Sequence, residues 1–195
     1  MEQNKKYILL GILFLVIQLI AIVRNIMSDY YLFFWFCDFV SIPLAIGFFL
    51  KKDTFIKSII NIGLIAQGIY ICAYLYKLFS GTTLIDTIPD ATNIFYVSSS
   101  IIIHLSTTIA LIFTYKVKPT IRTLFSSIMF IFAMYIIALF FTTPEQGVNY
   151  VLSSRTLIPL TIPHYTELWV PLTFLLVVLP THLIQYIIYK RAQSK

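Results

Sequence analysis

The chain has 195 residues, of which 59% are apolar and only 11% are charged, whereas soluble domains carry roughly 25% charged residues. Its 14 Lys and Arg residues exceed its 8 Asp and Glu residues, for a net charge of +6, but so few charges exclude a nucleic-acid-binding surface. Cys37 and Cys72 both lie inside apolar runs, which excludes a disulfide-stapled secreted scaffold. The composition is that of an integral membrane protein.

Six apolar runs are long enough to cross a bilayer, whose core of about 30 Å requires about 20 helical residues. In chain order they cover residues 7–23, 30–50, 58–79, 94–115, 123–143 and 168–189. Unpaired backbone groups are costly in hydrocarbon and no run alternates as a barrel strand does, so each run is predicted to be a helix. The predicted fold is an all-α, multi-pass bundle of six membrane-spanning helices, forming one domain over residues 1–195.

The basic residues are unevenly divided between the two sides of this arrangement. Eleven of the 14 fall on the side of the N-terminus, namely Lys5, Lys6, Lys51, Lys52, Lys57, Lys116, Lys118, Arg122, Lys190, Arg191 and Lys195. The opposite side has Arg24, Lys77 and Arg155. Because cytoplasmic loops are rich in Lys and Arg, both termini are predicted to be cytoplasmic, in a protein of the plasma membrane.

The connection between the fifth and sixth runs, residues 144–167, is long and unusually apolar for a loop. Such loops are commonly functional. This one is predicted to dip into or lie on the bilayer, as a lid over a cavity on the outer side. The alternative is a surface loop packed on the helix ends.

Asp38 is the only acidic residue well inside a predicted span. A charge at the bilayer centre costs about 2.5–3.5 kcal/mol on insertion scales, so Asp38 is expected to face the bundle interior or a water-filled cavity. Its neighbour Cys37 and His104 of the fourth span are predicted to lie roughly 10 and 15 Å from the outer ends of their helices. These side chains could therefore meet in the outer half of the membrane.

The fourth span carries Ser100, His104, Thr107 and Thr108 at offsets of three and four residues, which places them on one helical face. That face is predicted to point inward. Ser and Thr also serve in close packing and hydrogen bonding between membrane helices, and this remains the alternative for them. Tyr135 of the fifth span is a further candidate hydrogen-bond donor.

Two chemistries suit these residues. Asp38, His104 and His182 form a ligand set known from zinc and iron sites, but no helix carries a close ligand pair and His182 is predicted to lie roughly 6 Å deeper than His104. No metal or cofactor is therefore expected. The other chemistry is acyl transfer through Cys37, with His104 as the base. The alternative for Cys37 is that of a small buried hydrophobe.

The order of these signals resembles the YwaF-type bacterial integral membrane proteins over roughly residues 30–190. The matching elements are Cys37 in the second span, His104 in the fourth, Lys118 with Pro119 in the next cytoplasmic loop, and Asn149 with Tyr150 ahead of Ser154 and Arg155. Pro89 with Asp90 resembles a Pro-Asp pair that closes the third connection in that family.

That family is similar to eukaryotic transmembrane acyltransferases that remodel ether phospholipids, and more distantly to the androgen-induced-gene type lipid hydrolases. The resemblance implies membrane lipids as partners, Cys37 as the nucleophile and His104 as the base. Asn149 and Tyr150 become supporting residues. The chain departs from the pattern at Trp35, where the family commonly has a His; if that His assists catalysis, activity here is weakened.

Two non-enzymatic functions use the same features. A transporter or lipid-binding protein would need the polar cavity without covalent chemistry, and kinks at Pro43, Pro171 and Pro180 suit that role. A structural membrane protein would instead fill the polar face of the fourth span with neighbouring side chains.

Overall fold

A computed structural model describes residues 2–28, 30–82, 93–152 and 163–194, and in these ranges the chain is helical without β-strands. The α-helices are α1 (Glu2–Ile26), α2 (Phe36–Phe39), α3 (Ser41–Phe49), α4 (Asp53–Ser80), α5 (Ile94–His104), α6 (Ser106–Thr114), α7 (Ile121–Phe141), α8 (Tyr165–Thr173) and α9 (Leu179–Gln193). Short 3-10 turns cover Tyr30–Phe34, Pro144–Gln146 and Val148–Tyr150, and a π turn covers Phe174–Val178. The predicted all-α membrane bundle is confirmed.

Five helical segments are long and apolar enough to cross a membrane: Asn4–Ile26, Asp53–Ser80, Ile94–Thr114, Ile121–Phe141 and Tyr165–Gln193. They correspond to five of the six predicted spans. The largest differences from the prediction are at α4, which begins at Asp53 rather than at residue 58, and at the last span, which ends at Gln193 rather than at residue 189. Lys57, expected in a loop, is therefore part of a membrane helix.

The prediction of one continuous helix over residues 30–50 was wrong. The chain first makes the 3-10 turn Tyr30–Phe34, then Trp35 adopts extended dihedrals (φ −73°, ψ 131°), and only Phe36–Phe49 forms the shorter apolar helix. The physical reason is a side chain from a distant loop. Asn149 accepts a hydrogen bond from the Phe36 amide at 2.8 Å and donates one to the Phe34 carbonyl at 2.9 Å, so these backbone groups do not need helical partners.

Three contacts between distant parts of the chain bring the basic segments to one end of the bundle, here called the basic end. Lys6 donates a hydrogen bond to the Phe113 carbonyl at 3.4 Å, and Tyr7 donates one to Asp53 at 2.6 Å. Gln185 reaches the Lys57 carbonyl at 3.1 Å. The loops that sequence analysis grouped on one side are thus neighbours in space, as helices that alternate in direction require.

The core lies between α1, α3, α4 and α7. Phe14 stacks on Phe48 with ring centroids 5.4 Å apart, and both rings are fully buried together with Val40, Ile59 and Ile131. Large apolar side chains cover the outer faces of the helices. In a membrane these faces contact lipid, so the buried polar groups, rather than the apolar exterior, require an explanation.

Gly63 and Gly68 of α4 provide a matched test of the packing. A Cβ atom at Gly63 would lie 2.5 Å from Thr107 Cγ2 and 2.8 Å from Phe36 Cε1, whereas one at Gly68 would meet nothing within 4 Å. Gly63→Ala is therefore expected to lower the free energy of unfolding by roughly 1–3 kcal/mol, and Gly68→Ala to leave it unchanged or higher. Thermal unfolding in one detergent compares them; equal melting temperatures for the two variants would contradict this packing.

Candidate functional site

Arg24 and Asp38 form a buried ion pair in the half of the bundle away from the basic end. Their exposures are 4% and 5%. Asp38 lies in the interior, as predicted. Arg24 was predicted to lie outside the first span, but α1 continues to Ile26 and keeps Arg24 in its last turn. The apolar run ends at Val23, so hydropathy alone stops the helix too early. A lone Arg directly after the run was the available signal for a partner to Asp38.

Further hydrogen bonds hold this pair in place. Arg24 donates to the Ser100 hydroxyl at 3.1 Å and to the Asn25 side chain at 3.0 Å. Gln18 donates to the Asp38 backbone carbonyl at 2.9 Å. The guanidinium thereby connects α1, α2 and α5, and two opposite charges satisfy each other where lipid would otherwise make each costly.

His104 is buried at the end of α5, and its environment defines its tautomer. Its Nδ1 lies 2.7 Å from the Ser100 carbonyl; because a carbonyl oxygen only accepts, Nδ1 carries the hydrogen. In the neutral ring Nε2 is then the acceptor, and it forms no hydrogen bond to any described residue. Tyr70 of α4 stacks on the imidazole with ring centroids 3.6 Å apart. The ring is fixed in position while one basic nitrogen stays available.

Gln67 of α4 explains why the fourth span is divided into α5 and α6. Its Nε2 donates to the Ile103 carbonyl at 3.3 Å, and its Oε1 accepts from the Thr107 amide at 3.1 Å and from the Thr107 hydroxyl at 2.7 Å. Ile103 and Thr107 are the two backbone groups that a regular helix would pair with each other. A side chain inserted at this point accounts for the break at Leu105, directly after His104.

Cys37 lies on α2, partly buried, and is near enough to Arg24, Asp38 and Gln67 to interact with them electrostatically. Tyr70, which stacks on His104, also interacts with Cys37. Within the described residues no hydrogen bond joins Cys37 to His104. Tyr70 of α4 therefore interacts with both side chains.

Asn149 and Tyr150 support the helix that carries Cys37. Both have left-handed backbones (φ 49° and 56°), and the Asn149 side chain holds the chain at the start of α2, as described above. Trp169 donates to the Asn149 carbonyl at 3.0 Å, and Tyr150 packs edge-on against Trp35 at 5.3 Å. Trp35 is therefore part of this aromatic support.

Other predicted residues lie elsewhere. The Tyr135 ring stacks on Trp169 at 6.2 Å, and so belongs to the aromatic group that supports the start of α2. His182 lies beside Asn61, at 3.3 Å, so Asp38, His104 and His182 are not brought together as a metal site. Within the described ranges, no three His, Cys, Asp or Glu side chains lie close enough to hold a metal ion. Ser154, Arg155, Pro89 and Asp90 lie outside the described residues, as do residues 153–162 of the predicted lid.

An apolar groove runs beside α2 on the outside of the bundle. It is lined by Phe33, Phe34, Phe39, Met134, Ile137 and Phe141. It lies between the second predicted span and α7. Comparison of the chain with family models, with curated proteins and with solved structures found no match.

Proposed function

We propose that this multi-pass membrane protein is a lipid acyltransferase or lipid hydrolase in which Cys37 is the nucleophile and His104 the base. The observation that carries the proposal is the tautomer of His104. A general base needs an unprotonated nitrogen without a competing donor, and the bond from Nδ1 to the Ser100 carbonyl leaves Nε2 in that state.

In the first step His104 Nε2 takes the Cys37 thiol proton as the sulfur attacks the carbonyl carbon of a lipid ester. The ester C–O bond then breaks, the leaving alkoxide takes the proton from His104, and a thioester remains on Cys37. In the second step a lipid hydroxyl or water gives its proton to His104 and attacks the thioester. The thiolate leaves and takes the proton back, so neither step needs a metal or a cofactor.

The negative oxygen of each tetrahedral intermediate needs a nearby donor or positive charge. Of the predicted donors, the Thr107 hydroxyl is already bound to Gln67, and the Tyr135 ring stacks on Trp169. Ser100 and the Arg24 guanidinium support this role better, because Arg24 interacts with Cys37 and binds Ser100 at 3.1 Å. Arg24 is held in place by its ion pair with Asp38, and Ser100 is held by its bond to Arg24.

Trapping of the thioester tests the proposal. A phospholipid with an alkyne-tagged acyl chain is incubated with the wild-type protein, Cys37→Ser and Cys72→Ser in detergent. We expect hydroxylamine-sensitive label on the wild type and on Cys72→Ser, since Cys72 is exposed, and none on Cys37→Ser. Equal label on the Cys37→Ser protein would exclude Cys37 as the nucleophile.

Lipid binding or transport without covalent chemistry is the second candidate. It is favoured by the interruptions of two spans, at Leu105 and at the π turn Phe174–Val178, because transporters place their binding sites at discontinuous helices. In that case neither the wild type nor any variant forms the thioester, and the Cys37→Ser protein still binds lipid.

A further inference from the structure

A second group of buried polar side chains lies near the basic end, between α4, α7 and α9. It consists of Lys57, Asn61, Ser127, Thr181 and Gln185, all fully buried; we call it the inner cluster. Asn61 donates to Ser127 at 3.1 Å, and Gln185 donates to Asn61 at 2.6 Å. These bonds hold the three helices together, and none of them involves the residues proposed for catalysis.

Three atoms of the inner cluster have no hydrogen-bond partner within the described part of the chain. They are the Lys57 ammonium nitrogen, the Thr181 hydroxyl and the Gln185 carbonyl oxygen. Gln185 is in direct contact with Lys57, through a bond from its amide to the Lys57 carbonyl at 3.1 Å. Thr181 stands one turn before Gln185 on the same face of α9. A buried polar atom without a partner costs about 1–3 kcal/mol, and a charged one more, so three such atoms between α4 and α9 call for a bound group.

The missing charge is negative. The acid nearest along α4, Asp53, receives the Tyr7 hydroxyl at 2.6 Å, and no described carboxylate lies within ion-pair distance of Lys57. Lys57 stands one turn into α4, roughly 6 Å from its first residue at 1.5 Å per residue. Lys51 and Lys52 at the same end of the bundle attract anions to this region.

We infer that the inner cluster is a binding site for a phosphate group that also carries a hydroxyl, held by Lys57, Thr181 and Gln185. The phosphate oxygens accept from the Lys57 ammonium and the Thr181 hydroxyl. The ligand hydroxyl donates to the Gln185 carbonyl oxygen. An anionic glycerophospholipid headgroup and a soluble glycerol phosphate share this chemistry. The site does not depend on the reaction proposed for Cys37 and His104.

Ligand retention measured by native mass spectrometry tests the inference. The wild type, Lys57→Met and the control Lys52→Met are prepared in nanodiscs of phosphatidylglycerol or phosphatidylcholine, and in detergent with glycerol 3-phosphate. Lys52 is exposed at the same end, so it matches Lys57 in charge but not in burial. The wild type and Lys52→Met are expected to retain one phosphate ligand per chain, and Lys57→Met at least ten-fold less.

Thermal unfolding of the same samples checks the fold. The retained ligand is expected to raise the melting temperature of the wild type and Lys52→Met by roughly 5 °C or more, and to leave that of Lys57→Met unchanged. If Lys57→Met loses the bound ligand only in the phosphatidylglycerol samples, the ligand is a lipid. If it loses the bound ligand only in the samples with glycerol 3-phosphate, the ligand is soluble. The inference is overturned if Lys57→Met and the wild type retain the phosphate ligand equally, or if neither retains it. Thr181→Val is the second variant, to be used if Lys57→Met does not fold.

Discussion

Arg24→Met is expected to destabilise the protein by roughly 3–5 kcal/mol, the cost of leaving one member of a buried ion pair without its partner. Asp38 is 5% exposed and would then be a lone carboxylate within the bundle. Ser100 and Asn25 would lose their donor as well. The variant should therefore unfold at a markedly lower temperature in detergent and accumulate poorly in membranes.

The double variant Arg24→Met/Asp38→Leu separates the lost pair from the orphaned charge. Replacing both members of a buried pair with apolar residues is often neutral or stabilising, so the double variant is expected to recover most of the loss. Thermal unfolding of the two single variants and the double variant gives the coupling between the residues. If the double variant loses as much stability as the two single variants together, the ion pair is not what holds α1 and α2 together.

His104→Ala is expected to slow formation of the Cys37 thioester by about 10²–10⁴-fold, the usual contribution of a positioned general base. The reason is that Nε2 is the free basic nitrogen of the cluster, while Nδ1 is occupied by the Ser100 carbonyl. The measurement is the rate of hydroxylamine-sensitive labelling with the tagged phospholipid, under single-turnover conditions.

His182→Ala is the matched control for this experiment. It removes the same type of side chain from α9, where His182 lies beside Asn61 at 3.3 Å, so it should leave the labelling rate within a few fold of the wild type. Melting temperatures of both variants show whether the bundle remains folded. A folded His104→Ala protein that labels at the wild-type rate would remove His104 from the mechanism and leave Cys37 without a base.

Hydropathy predicted the helical segments well because lipid imposes one strong rule: each backbone group must be paired inside its own helix. The runs 94–115 and 123–143 differ by only a few residues from Ile94–Thr114 and Ile121–Phe141. The rule failed at residues 30–50, where Asn149 pairs with the backbone at Phe34 and Phe36. A side chain more than 100 positions away in the sequence leaves no trace in local hydropathy.

The candidate site was predicted only in part for the same reason. Periodicity placed Ser100, His104 and Thr107 on one inward face, and the cost of a buried charge placed Asp38 in the interior. Neither argument names a partner. That Asp38 pairs with Arg24, that Thr107 binds Gln67, and that His104 stacks on Tyr70 depend on how two other helices, α1 and α4, pack.

Composition and hydropathy by themselves determined that this protein is an all-α, multi-pass membrane bundle, because transfer of apolar side chains into lipid is a local property that adds up along the chain. Tertiary structure alone decided which polar groups meet: Arg24 with Asp38 in one half of the bundle, and Lys57 with Gln185 in the other. Hydrogen bonds and ion pairs are short-ranged and directional, so their partners follow from the packing of helices that lie far apart in sequence.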